Sequence, residues 1–126
     1  MNQILIVEDE ENLAAFIAKG FRKHGFDITV AVDGNQALAA SEAQTYDAIL
    51  LDLRLPVKDG WTVLRELRNR GVLSPVIVMT AMSDLQQDVL AERANDYLQK
   101  PFRFKELLAA VERQITASSA ANPTKK

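Results

Sequence analysis

Five apolar runs punctuate the chain, and most of them end on a polar or charged residue. Ile4–Val7 runs into Glu8-Asp9, and Phe26–Val32 alternates weakly before Asp33. Ala48–Leu51 runs unbroken into Asp52. Pro75–Met79 ends at Thr80, and Asp96–Leu98 precedes Lys100-Pro101. Unbroken apolar runs between turn-prone flanks predict strands buried on both faces, as inside a parallel sheet. Helical spacing fills the gaps. Leu13, Phe16, Ile17 and Phe21 predict a helix stopped by Gly25. Asp33 caps a second through about Ala43, with Ala37, Leu38 and Ser41 inward. Asp59-Gly60 opens a third, with Leu64 and Leu67 inward and Gly71 at its end. Ser83–Arg93 offers only Leu85, Val89 and Leu90, so its helix is expected to be short and loosely held. Phe104, Leu107, Leu108, Val111 and Ile115 make the cleanest amphipathic helix.

Strands alternating with helices, without an internal repeat, predict an α/β fold with a parallel sheet covered on both faces. Right-handed crossovers restrict the arrangement. The expectation is a flavodoxin-like (βα)5 three-layer sandwich with five strands in the order 2-1-3-4-5 and a switch point between strands one and three. The 126 residues fit one domain, placed at 1–116. Ala117–Lys126 has no apolar period and reads as a flexible tail or the start of an interdomain linker. A net charge of -2 gives no global argument for nucleic acid or a membrane surface as partner. There is no cysteine, so thiolate metal sites and cysteine nucleophiles are excluded. No apolar run approaches the ~20 residues of a membrane span, and Met1 leads directly into Ile4–Val7. A cytoplasmic location is expected.

The predicted order brings the carboxyl ends of four adjacent strands to one rim, where open α/β sheets bind ligands. Strand one supplies Glu8 and Asp9, strand three Asp52, strand four Thr80 and strand five Lys100. Clustered carboxylates repel one another unless a cation is present. A hard divalent ion with oxygen ligands answers this, and Mg²⁺ suits a partly hydrated site with few carboxylates. Asp52 can then attack a phosphoryl group, with Lys100 and Thr80 holding its oxygens. A carboxylate needs no general base at neutral pH.

These residues resemble the receiver domain of bacterial two-component response regulators over about residues 3 to 116. The motifs are Ile4–Asp9 (ILIVED), Asp47–Pro56 (DAILLDLRLP), Asp59-Gly60, Val76–Ala81 (VIVMTA) and Asp96–Phe102 (DYLQKPF). The resemblance implies that Asp52 accepts phosphate from a sensor histidine kinase, a regulatory role rather than an enzyme's. It implies Mg²⁺ held by Asp9, Asp52 and the Arg54 backbone carbonyl, with Glu8 completing the acidic pocket. It makes Thr80 the switch hydroxyl, Tyr97 the switch aromatic and the Lys100-Pro101 bond cis. The signal would leave by the face made of the Ser83–Arg93 helix, the fifth strand and the last helix. A DNA-binding output domain beyond residue 126 and a homodimer through that face are further implications of the winged-helix transcription-factor subclass.

Two departures argue against that dimer. The chain is about two residues shorter between Thr80 and Lys100 than in that subclass, and Ala110 stands where it places an arginine. Glu106 is retained. Other readings remain. A stand-alone receiver acting by protein contact and a docking module that takes no phosphate both keep the fold. An aspartyl-phosphate phosphohydrolase would want an acid where Arg54 stands, and a cap domain. A nucleotide or flavin binder would want a glycine-rich loop, and the chain has five glycines, none clustered. His24 reads as a helix C-terminal residue facing the dipole. The basic residues Lys58, Arg65, Arg68 and Arg70 read as a solvated face.

Overall fold

The computed structural model describes residues 2–81 and 93–121, with side chains through 118. The elements are β1 (Gln3–Val7), α1 (Glu11–Lys23), β2 (Asp27–Ala31), α2 (Gly34–Ala43) and β3 (Ala48–Asp52). Then come α3 (Gly60–Asn69), β4 (Val76–Thr80), β5 (Asp96–Gln99) and α4 (Phe104–Ala121). The five strands form one parallel sheet in the order β2-β1-β3-β4-β5. This is the flavodoxin-like order expected from the alternation. The helix expected over Ser83–Arg93 lies, but for Arg93, outside the described residues, as does the tail beyond Ala121.

The sheet divides two apolar layers. Alternating side chains of β1, β3 and β4 point to opposite faces. Leu5, Val7, Ile49, Leu51, Val76 and Val78 pack with α2 and α3 around Leu38, Leu64 and Leu67. Ile4, Ile6, Leu50, Ile77 and Met79 pack with α1 and α4 around Ile17, Phe21, Leu107 and Val111. Every residue of β3 and β4 is buried, which is why both read as unbroken apolar runs.

Local chemistry sets the element ends. Asp33 and Asp59 each accept a hydrogen bond from a first-turn amide, Gln36 N at 2.8 Å and Thr62 N at 3.0 Å. Gly25 (φ 86) and Gly71 (φ 84) take the left-handed conformation that ends α1 and α3.

Phe16 shares the helical spacing of Leu13 and Ile17 but is 55% exposed. Ala14 and Ala18 take the buried positions instead, and Phe16 leans edge-on against Phe104 with ring centroids 6.3 Å apart. Spacing admits Phe16 at the margin of the apolar stripe, and the small residues decide which side fits closest to the sheet. The last helix runs through Ala121. Residues 117–121 are alanine and serine, and alanine is the strongest helix former.

Candidate functional site: an acidic cluster at the carboxyl rim

The site stands where the chain direction puts it, at the carboxyl ends of β1, β3, β4 and β5. Asp52 is the last residue of β3 and only 4% exposed. Its Oδ1 accepts from Arg54 N at 3.0 Å, and its Oδ2 accepts from Lys100 Nζ at 3.2 Å. Lys100 Nζ also donates to Glu8 Oε1 at 2.8 Å. Glu8 is buried, and its Oε2 accepts from Glu10 N at 3.1 Å. Asp9 beside it is exposed. Glu8, Asp9 and Asp52 each bring a carboxylate oxygen within 4.8 Å of the others. Thr80 ends β4 as a buried hydroxyl, and its carbonyl accepts from Lys100 N at 2.7 Å. Tyr97 is half-buried on β5, opposite Val78, against the α2–α3 layer. Arg54 turns its side chain to solvent. The Lys100-Pro101 bond is cis.

Burial pushes the Glu8 carboxyl up from 4.5 to about 7. The hydrogen bonds from Lys100 and Glu10 N oppose that, and the Asp52 charge reinforces it. Burial alone would lower Lys100. The hydrogen bond to Glu8 and the charges of Asp52 and Glu8 outweigh it and hold the ammonium above its ordinary value. The cluster is thus three carboxylates, two of them, Glu8 and Asp52, bridged by one ammonium. Its donor set is all oxygen, with Asp9 open to water. That fits a hard cation that keeps part of its hydration shell.

Sequence reasoning missed what fixes the loop after Asp52. A Cβ on Gly60 would collide with the Asp52 carbonyl oxygen and with Leu53 Cα, so α3 starts in direct contact with the end of β3. Gly60 N donates to Leu53 O at 3.0 Å. A Cβ on Gly34 would meet the Lys58 backbone, which pins the same loop from α2. Between these contacts Val57 sits at φ 69, and Lys58 N donates to Pro56 O at 2.7 Å. The Asp59-Gly60 pair signals the helix start, but the close approach behind it is tertiary and has no local signature.

The family model for the response regulator receiver domain matches residues 4–112. The chain belongs to that family. Response regulator ArlR from Staphylococcus saprophyticus is 40% identical over 124 residues, 97% of this chain and 56% of the relative. Transcriptional regulatory protein PcoR from Escherichia coli is 39% identical over 113 residues, 88% of this chain and 50% of the relative. The chain spans about half the length of these curated relatives. Among solved structures, the receiver domain of sensor histidine kinase PA1611 from Pseudomonas aeruginosa superposes with TM-score 0.81 at 40% identity. The match covers 91% of this chain and 98% of that one, which holds a magnesium ion in its active-site cleft. The receiver fold is a regulatory phospho-acceptor fold and not an enzyme family. No described helix is long and apolar enough to cross a membrane.

Proposed function

We propose that this receiver accepts a phosphoryl group on Asp52 from a sensor histidine kinase, in a reaction that requires Mg²⁺. The observation that carries the reading is the setting of the Asp52 carboxylate. It is buried at a strand end, touches one ammonium, and shares a 4.8 Å cluster with two more carboxylates. Asp9, Asp52 and the Arg54 carbonyl would hold the ion, with Glu8 behind them. When bound, Mg²⁺ neutralises charge on the carboxylates and on the phosphoryl oxygens.

The remaining work falls to the chain's own groups. An Asp52 oxygen attacks phosphorus, the bond to the donor's leaving atom breaks, and an aspartyl phosphate forms. Arg54 N and Lys100 hold the carboxylate's two oxygens in a fixed orientation before attack. Lys100 then takes a phosphoryl oxygen as negative charge gathers there. Thr80 donates to another, and Tyr97 repacks in the space this opens. The added charge of about -1.5 to -2 biases two packings of the face around β5 and α4. The partial coverage of relatives named as transcriptional regulators supports a DNA-binding output domain as the receiver of that signal. A homodimer through this face is disfavoured by Ala110, which is buried in the layer between α4 and the sheet.

Incubation with Mg²⁺ and acetyl phosphate tests the reading by intact-protein mass. The expected result is a gain of one phosphoryl group, absent in Asp52→Asn and absent with chelator. No gain under conditions where another receiver reacts overturns it.

A further inference from the structure

We infer that Arg68 is a positioning residue that fixes the register of β5 and thereby delivers Lys100 to the acidic cluster. The inference rests on the proposed role of Lys100 and extends it to the opposite end of the sheet.

β5 is a short edge strand of four residues, and none of its side chains is fully buried. By contrast, every residue of β4 beside it is buried. Register is strongly specified where one face is buried and weakly where it is not. Burial therefore does little to choose how β5 aligns on β4. Yet a slip of one residue would move Lys100 by about 3.3 Å along the sheet and turn its side chain to the other face.

What holds the alignment is polar and sits at the start of the strand. Asn95 pairs with both backbone groups of Val76: its amide donates to Val76 O at 2.8 Å, and its Oδ1 accepts from Val76 N at 2.9 Å. Arg68 of α3 holds Asn95 in that pose. Its Nη2 donates to the same Asn95 Oδ1 at 2.8 Å, and its Nε donates to Arg93 O at 3.0 Å. Nη1 donates to Val72 O at 2.8 Å and Ser74 O at 2.9 Å, the chain leading into β4. One planar guanidinium thus ties the approach to β4 and the approach to β5 in a fixed geometry, which a lysine cannot reproduce. From Asn95 the ladder runs Ile77 to Asp96, Val78 to Tyr97, Met79 to Leu98 and Thr80 to Gln99. Lys100 is the next residue. α4 adds two longer contacts, Arg113 to Asp96 at 3.2 Å and Gln114 to Asn95 O at 3.3 Å. The basic residues of α3, read from sequence as a solvated face, therefore include one built into the sheet's edge.

The test compares Arg68→Met, Arg68→Lys, Asn95→Ala and Asn95→Asp with the parent. Three quantities are read on folded protein: the NMR shift of the Lys100 ε-methylene, the rate of phosphorylation by acetyl phosphate, and Mg²⁺ affinity from Trp61 fluorescence. In Arg68→Met and Asn95→Ala the Lys100 signal moves towards that of an exposed lysine and phosphorylation slows at least tenfold. Mg²⁺ affinity stays within threefold, because the carboxylates stand on β1 and β3. Arg68→Lys falls between, and Asn95→Asp behaves as the parent. An unchanged Lys100 signal in Arg68→Met overturns the inference, as does a loss of Mg²⁺ affinity equal to the loss of rate. Should Arg68→Met not fold, the Lys100 signal in Asn95→Ala decides in the same way. A parent that takes no phosphoryl group refutes the proposed function, while the Lys100 signal still decides the role of Arg68.

Discussion

The Glu8 carboxyl has a raised proton affinity, because burial strips water from its charged form. Its proton competes with a bound cation near neutral pH. Mg²⁺ affinity is therefore expected to rise up to about tenfold from pH 6 to pH 8, the span that empties a site titrating near 7. Fluorescence titration at both values checks this, and Glu8→Gln flattens the profile. The same shift has a sign for stability without metal. The folded carboxyl binds its proton more tightly than the unfolded one. That contribution is full below about pH 4.5 and is lost as pH rises through about 7. Gly60 makes a steric case. Any side chain there meets the backbone at Asp52 and Leu53, which cannot swing away. Gly60→Ala is expected to cost about 1–3 kcal/mol by urea denaturation, the range for overpacking. A fully stable Gly60→Ala would mean that α3 shifts freely against β3.

Among the connecting segments, the loop from Leu53 to Asp59 combines restraint with strain. It is held at Gly34 and Gly60, yet Val57 stands at φ 69, a region that penalises β-branched side chains by roughly 1–2 kcal/mol. Val57 is also 75% exposed, so little packing is lost with its side chain. Glycine gives back part of the gain through the freer unfolded chain. Val57→Gly is expected to raise stability by about 0.5–1 kcal/mol, read as a higher urea midpoint at unchanged slope. A lower midpoint would show that the Val57 side chain makes contacts worth more than the strain. The strands divide in the same way between strong and weak specification. β1, β3 and β4 were legible as unbroken apolar runs because burial on both faces leaves no other composition. β5 was legible only through its polar neighbours.

For the molecule as a whole, the three carboxylates and Lys100 leave an excess of negative charge at one end of the sheet. A cation that binds only the folded state stabilises it by mass action, about 1.4 kcal/mol at tenfold excess over its dissociation constant. Calorimetry is expected to show a higher Tm with Mg²⁺ than with chelator, and no such difference in Asp9→Asn. Equal shifts in both proteins would place the ion elsewhere. The strand order and the meeting of Glu8, Asp9, Asp52 and Lys100 on one rim could be reasoned from sequence, because direction and alternation are enough to place strand ends. The exposure of Phe16, the left-handed Val57 and the four acceptors around Arg68 could not. Each depends on which surfaces meet across the fold, and no local spacing encodes that. The sheet itself has one more consequence. Among the described residues, the apolar side chains form two separate clusters on opposite faces of the sheet. Methyl groups should therefore report as two separate spectroscopic populations. A repacking of Tyr97 should be heard by Val76, Val78 and Leu64, while Ile4, Ile6 and Ile17, beyond the partition, stay silent.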